Sequence, residues 1–221
     1  IYRHVDRETL LALIDEAGFL HLDDYFDHVC RPALKKAFIH DKVAEMVECL
    51  DDASFTLSDF IEKMGRKHSY TNAFEGLREE LKEAKKSVYG NKPIRWKEVL
   101  DDLMYTLNYH AELLPAEDHL RFHGTVAPFL MNVIAAMPLC SAQMLLALHD
   151  AQKLDLVAGK VEPLEQEKGE TTVVQVTNGE EKVSYEYALF INCGGQKIVE
   201  YEAYPFQSLT REGVIQPAHA Q

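Results

Sequence analysis

Apolar residues recur at helical spacing through the chain as far as residue 153. In segment 41–50, one side of a helix would carry Val43, Met46, Val47 and Leu50. A longer stripe consists of Trp96, Val99, Leu100, Leu103, Met104 and Leu107. Segments of this kind, separated by Gly and Pro, predict about seven or eight helices.

The pattern changes to that of β-strands after residue 153. Segments 154–161 and 171–176 are rich in β-branched residues, and Asn178-Gly179 is a dipeptide typical of tight hairpins. The next segment, 182–195, alternates at first and then becomes wholly apolar over residues 188–191. This change predicts an antiparallel meander whose last strand passes from half-exposed to buried.

The end of that strand is the best candidate for a binding site. The apolar run stops at Asn192, Cys193, Gly194 and Gly195. Small residues at the end of a buried strand let the backbone approach a bulky ligand closely. The alternative is an ordinary strand end in which glycine supplies a positive φ. Cys193 is also a candidate redox thiol, although no second cysteine lies near it in the sequence.

These patterns predict an α+β fold with two domains. Residues 1–153 form a mainly helical domain, and residues 154–221 contain the small antiparallel β-meander. The buried strand after the meander would form part of a nucleotide-binding-type sheet. A complete doubly wound domain would need more buried parallel strands than the sequence offers.

The net charge and the cysteines indicate which binding partners and which cellular compartment are compatible with this sequence. The formal net charge of -13 opposes binding to nucleic acid or to an anionic membrane surface. No segment approaches the ~20 apolar residues that span a bilayer, and the first residues do not resemble a signal peptide. The four cysteines are far apart, which disfavours a disulfide framework or structural zinc site and favours a cytoplasmic location.

Other residues that could bind a metal or a ligand have simpler interpretations. His119 and His123 are spaced to share one helix face and hold a metal, but surface or capping histidines are the simpler interpretation, and we predict no metal site. The acidic pairs 23–24, 51–52 and 101–102 are interpreted as helix-end residues. The aromatic residues at helical spacing predict either core positions or a ligand groove: Tyr25, Phe26, Trp96, Tyr105 and Tyr109. No catalytic residue is assigned, because no P-loop or nucleophile elbow occurs.

The order of elements resembles that of the FAD/NAD(P)-binding flavoprotein oxidoreductases. In that superfamily a β-meander leads into a buried strand, which ends in a motif of the Ala-Thr-Gly kind beside the cofactor. Here Val157-Ala158-Gly159-Lys160-Val161 looks like the strand that opens the meander, and Phe190-Ile191-Asn192-Cys193-Gly194 looks like the strand-end motif. The resemblance implies that residues 192–195 face the cofactor.

A narrower resemblance, over residues 94–161, is to a branch of these proteins with a helical insert. The matching motifs are Ile94-Arg95-Trp96, Leu113-Leu114-Pro115, Arg121-Phe122, the turn at 152–159 and the closing short helix at 206–213. Segment 131–138 departs from the branch, because it is apolar where the branch often has His and Arg. The GxGxxG fingerprint of the superfamily is also absent from the sequence.

The resemblance implies the C-terminal portion of an oxidoreductase that acts on an unknown small molecule. The start at Ile1, without an initiator Met, leads us to expect a piece of a longer product. FAD is the implied cofactor of the full-length protein, with NAD(P) as a further candidate, and the helices would cap the substrate site. This part alone should be inactive and bind no cofactor tightly; it would associate with the missing N-terminal nucleotide-binding part. The alternative is a non-catalytic helical protein-interaction module with a β appendage.

Overall fold

The computed structural model describes residues 5–134, 137–164, 171–194 and 201–216. It confirms the α+β class, with helices first and a three-stranded antiparallel sheet after them. The chain divides into two compact units, residues 1–150 and residues 151–220. The predicted boundary, between residues 153 and 154, lies just after this division.

The helical unit contains ten α-helical segments among its described residues. They are α1 (Arg7–Leu11), α2 (Leu22–Tyr25), α3 (Arg31–His40), α4 (Ala44–Asp51), α5 (Leu57–Lys67), α6 (Ala73–Tyr89), α7 (Arg95–Tyr109), α8 (Ala116–Arg121), α9 (Ala127–Val133) and α10 (Leu139–Asp150). Two π-helical turns, Phe26–Cys30 and Phe122–Val126, join α2 to α3 and α8 to α9. Each joined pair is one continuous helix, so the ten segments form eight helices, which agrees with the predicted number.

Local hydrogen bonds explain where several helices begin. At the start of α5, Thr56 Oγ1 accepts a hydrogen bond from Asp59 N, and Asp59 Oδ2 accepts one from Thr56 N. This reciprocal pair is a capping box, which satisfies two backbone donors. Asn72 caps α6 by accepting hydrogen bonds from the next helical N–H groups.

The core of the helical unit lies between α3, α5, α7 and the two π-helical turns. Phe38 on α3 stacks on Trp96 of α7, with ring centroids 5.5 Å apart. Tyr25 is buried as well, and its hydroxyl donates a 2.7 Å hydrogen bond to the carbonyl of Leu103. Tyr25, Trp96 and Phe26 are therefore core residues, the first of the two interpretations offered for them. A smaller apolar cluster joins α6 to α10 around Leu81.

The second unit contains a meander of three strands and a short helix. The strands are β1 (Lys160–Leu164), β2 (Thr172–Asn178) and β3 (Glu181–Tyr187), paired antiparallel in that order. A short helix, α11 (Gln207–Arg211), follows among the described residues. β1 begins later than the predicted segment 154–161, and Gly159 with φ 152° precedes it. The two-residue loop of the β2–β3 hairpin begins at Gly179, whose φ is 61°.

The predicted buried strand over residues 188–191 is not found. β3 ends at Tyr187; its residues are mostly exposed, and it pairs with β2 alone in the described part of the chain. Leu189 and Ile191 are 74% and 69% exposed. Apolar composition favours burial, but the side chains of a strand are buried only where another layer packs on the sheet, and residues 188–191 lie beyond its last described strand. None of the described helices is long and apolar enough to cross a membrane.

Candidate functional site

The predicted cofactor-binding residues form an exposed turn beyond the end of β3. Asn192, Cys193 and Gly194 are all exposed, and Asn192 Oδ1 accepts a 2.9 Å hydrogen bond from Gly194 N. This bond makes an Asx turn, in which the side chain fixes the path of the backbone. Gly195 lies outside the described residues.

The glycine of this turn is explained by space and not by a positive φ. Gly194 is absent from the described residues with positive φ, so a left-handed backbone does not explain this glycine. A Cβ built on Gly194 would lie 3.2 Å from Asn192 Oδ1, closer than an ordinary contact. Gly194 therefore keeps the turn tight and one face of its backbone uncovered.

The apolar run before the turn follows the edge strand of the sheet in the sequence. Residues 188–191 follow β3, whose outer edge has no strand partner among the described residues. Unpaired edge groups can form hydrogen bonds with a further strand. The edge, the exposed apolar run and the tight turn are thus consecutive in the chain, an arrangement able to extend another sheet.

A second candidate site is an apolar groove in the helical unit, which we call the α7 groove. Its volume is about 350 Å³, and it is lined by Asp101, Met104, Tyr105, Asn108, Phe122, Leu130, Met131 and Ile134. These residues come from α7, the second π-helical turn and the α9 region, so the walls are helical. Tyr105 is therefore a groove residue, the second interpretation offered for it. π-Helical turns occur often at functional sites, and Phe122 opens this one.

The acidic pair in α7 does not lie at a helix end. Asp101 and Asp102 fall in the middle of α7, because that helix extends from Arg95 to Tyr109. The helix-end interpretation of this pair is therefore wrong, whereas residues 23–24 do lie in the first turn of α2 and residues 51–52 at the end of α4. Partial burial, with a smaller effect of the neighbouring Asp102, raises the pKa of Asp101.

A larger and more polar groove lies along α3 and α7. Its volume is about 970 Å³, and charged side chains of both signs line it, including Lys36, Arg95 and Asp102. The two predicted metal-ligand candidates are elsewhere, His119 in α8 and His123 in the adjoining π-helical turn. Among the described residues, no group of three His, Cys, Asp or Glu side chains is arranged to hold a metal ion.

A histidine that the sequence analysis did not single out lies beside Trp96. His68 Nδ1 is 3.1 Å from Glu80 Oε1, and this hydrogen bond lowers the pKa of Glu80. His68 Nε2 is buried and has no hydrogen-bond partner among the described residues. Only the folded arrangement of α5, α6 and α7 brings these three residues together, so no local sequence signal could have found them.

Comparison with known protein families finds a match over the helical unit. The profile of a family described as the YdhS-like middle domain matches residues 7–134, a span that extends from the start of α1 to the end of α9. The match covers more than half of the chain. No curated protein and no solved structure matches this sequence.

Proposed function

This chain belongs to the YdhS-like middle domain family, and from that premise we propose that it is the helical and C-terminal portion of a longer FAD/NAD(P)-dependent oxidoreductase-like protein. A domain described as a middle domain is one with further sequence on both sides, which supports a longer parent protein. In this proposal the helical unit covers the site of a small-molecule substrate. The protein is cytoplasmic, and its nucleotide-binding part precedes this chain.

The observation that carries the proposal is the exposure of the apolar run at residues 188–191. Leu189 and Ile191 are both more than two thirds exposed. Burying a side chain of this type is worth about 1.5–3 kcal/mol, so an exposed pair favours association with another apolar surface. We propose that this surface is the nucleotide-binding sheet of the parent protein, which residues 188–191 join as a strand.

The turn at residues 192–194 would then lie beside the cofactor. Its side chains are small, and Gly194 leaves one backbone face uncovered, which suits close approach to a bulky ring system. FAD supplies the redox chemistry when it is bound, whereas this chain would position the cofactor and exclude water. The GxGxxG pyrophosphate site must come from the preceding part, so this chain alone should bind FAD weakly.

The test uses the complete gene product with paired substitutions. Ile191→Asp places a charge in the proposed strand, whereas Val214→Asp makes the same change at a position of similar exposure, 67%, near α11. We expect the first variant to lose most of its FAD and the second to keep it, measured as flavin released per chain on denaturation. Equal FAD content in the two variants would contradict the proposed strand.

A second candidate function is a non-catalytic helical interaction module with a β appendage. The α7 groove favours it, because Tyr105 and Met131 expose apolar surface within one groove at 54% and 72% of their areas. Exposed apolar clusters of this kind often mark sites of protein interaction. A complete gene product that does not bind FAD, but does bind a protein partner through this groove, would favour the second function over the first.

A further inference from the structure

The α7 groove is built on the core of the helical unit, and so it is formed before any partner binds. Met104, Phe122 and Leu130 line the groove and also pack against the buried core cluster. Tyr105 on α7 and Met131 on α9 expose their side chains along it. The core holds the base of the groove in place, and the flexible methionine side chains can adjust to their neighbours. The groove therefore provides an apolar surface that can accept side chains of varied shape.

One acidic side chain, Asp101, lies between the α7 groove and the larger polar groove along α3 and α7, because it lines both. Asp101 lines the groove and forms no salt bridge with a described residue. Burial and the adjacent Asp102 disfavour the charged form of its carboxyl group. A cation near Asp101 would reduce this repulsion. The groove therefore combines an apolar floor with an unneutralised acidic position at its edge.

We propose that the α7 groove binds a basic amphipathic helix of a partner protein. The apolar face of that helix would contact Tyr105 and Met131, and its Lys or Arg side chains would reach Asp101. All the walls are helical, so an extended peptide would find no sheet edge with which to pair. A second copy of this chain is disfavoured as the occupant, because each copy has a net charge of -13.

This inference rests on the interaction-module function and is independent of the FAD proposal. FAD content reports on residues 188–194, whereas helix binding reports on the α7 groove of the helical unit. A protein without FAD could still bind the helix, and a flavoprotein could fail to bind it. The two proposals can therefore fail separately.

The probe is a fluorescein-labelled peptide of about 18 residues, with leucines at i, i+3, i+4 and i+7 and lysines elsewhere. Two control peptides keep its length: one has the same composition in a non-amphipathic order, and one has glutamate in place of lysine. Fluorescence anisotropy with the 221-residue chain gives the Kd of each peptide. We expect the leucine–lysine peptide to bind at least about tenfold more tightly than either control.

Matched variants locate the binding surface. Met131→Glu should weaken binding about tenfold or more, whereas Met144→Glu, at a 64% exposed position on α10, should leave the Kd within about twofold. Asp101→Asn should weaken binding about threefold and reduce its salt dependence, whereas Glu48→Gln on α4 should do neither.

Methionine methyl NMR distinguishes this groove from other surfaces. Peptide binding should shift the methyl signals of Met104 and Met131 and leave those of the buried Met46 and Met64 in place. Failure of the peptide to bind, equal binding of the glutamate peptide, or unchanged binding by Met131→Glu would each overturn the proposal. Sedimentation of the peptide-free chain gives a further test. A dimer that the Met131→Glu substitution dissociates would also overturn the proposal, because a second copy of the chain would then occupy the groove.

Discussion

The carboxylate of Asp118 accepts a 2.8 Å hydrogen bond from the backbone N–H of Leu22, across 96 residues of sequence. Leu22 begins α2, and His21 before it makes no side-chain capping bond. The first N–H groups of a helix have no acceptor within the helix, so Asp118 supplies from α8 what the local sequence lacks. The pair ties α8 to the start of the continuous helix that extends to His40.

Replacing Asp118 by alanine should destabilise the helical unit. Asp118 is buried, and its loss leaves a helix N-terminal donor without an acceptor, at a cost of about 1–3 kcal/mol in the free energy of unfolding. Urea unfolding followed by circular dichroism measures the change. Glu48→Ala, at an exposed position on α4, is the control and should change stability by less than about 0.5 kcal/mol. Equal effects of the two substitutions would contradict the capping role of Asp118.

Stability should depend on pH through His21. The hydrogen bond between His21 Nε2 and Asp15 Oδ2, 3.1 Å long, raises the pKa of His21, and the nearby charge of Asp118 adds to the effect. The folded state therefore favours the protonated ring. This stabilisation is complete below the unfolded pKa of about 6.5 and disappears as the pH rises through the higher folded value.

Unfolding of a His21→Gln variant at two pH values tests this linkage. We expect the substitution to lower the urea midpoint more at about pH 5.5 than at about pH 8.5. The variant Asp15→Asn should remove most of the difference, because Asp15 is the main cause of the raised pKa. A midpoint shift that is the same at both pH values would show that protonated His21 adds nothing to folding.

The sheet should tolerate a Cβ at Gly179 far better than one at Gly159. A Cβ at Gly159 would lie 2.6 Å from Val176 Cγ1 and 2.7 Å from Thr177 O, whereas one at Gly179 meets nothing within 4 Å. Gly179 has a φ of 61°, in the left-handed region that other residues can enter, whereas Gly159 has a φ of 152°, which favours glycine more strongly, so backbone strain adds to the steric conflict at Gly159. Gly159→Ala should cost about 1–3 kcal/mol more than Gly179→Ala, read from hydrogen exchange of the β2 amides. Equal protection in the two variants would exclude that conflict.

Helices were the predictable part of the fold because their signals are local. The residues that cap α5 and α6 lie within four residues of the helix starts: Thr56 and Asp59 form the capping box of α5, and Asn72 caps α6. The apolar stripe of α7, from Trp96 to Leu107, likewise predicts the buried face of that helix. The prediction that residues 101–102 lie at a helix end is wrong because α7 is a long helix. Its middle carries these residues, and both line the larger polar groove.

The features that the sequence did not predict depend on distant residues. Residues 188–191 have the composition of a buried strand, but burial needs a second layer packed on the segment, and the described sheet ends before it, at β3. The π-helical turn at Phe122–Val126 has no recognised local signal; Pro128 follows it, in the first turn of α9. The α7 groove forms only when Tyr105 and Met131 are brought together by folding.

The FAD content of the complete gene product decides whether residues 188–194 join a nucleotide-binding sheet. We expect a yellow protein that releases about one FAD per chain on denaturation, and whose Tm rises when FAD is added to flavin-depleted protein. A colourless product, whose Tm does not change on addition of FAD, would contradict the claim that residues 188–194 complete a nucleotide-binding sheet.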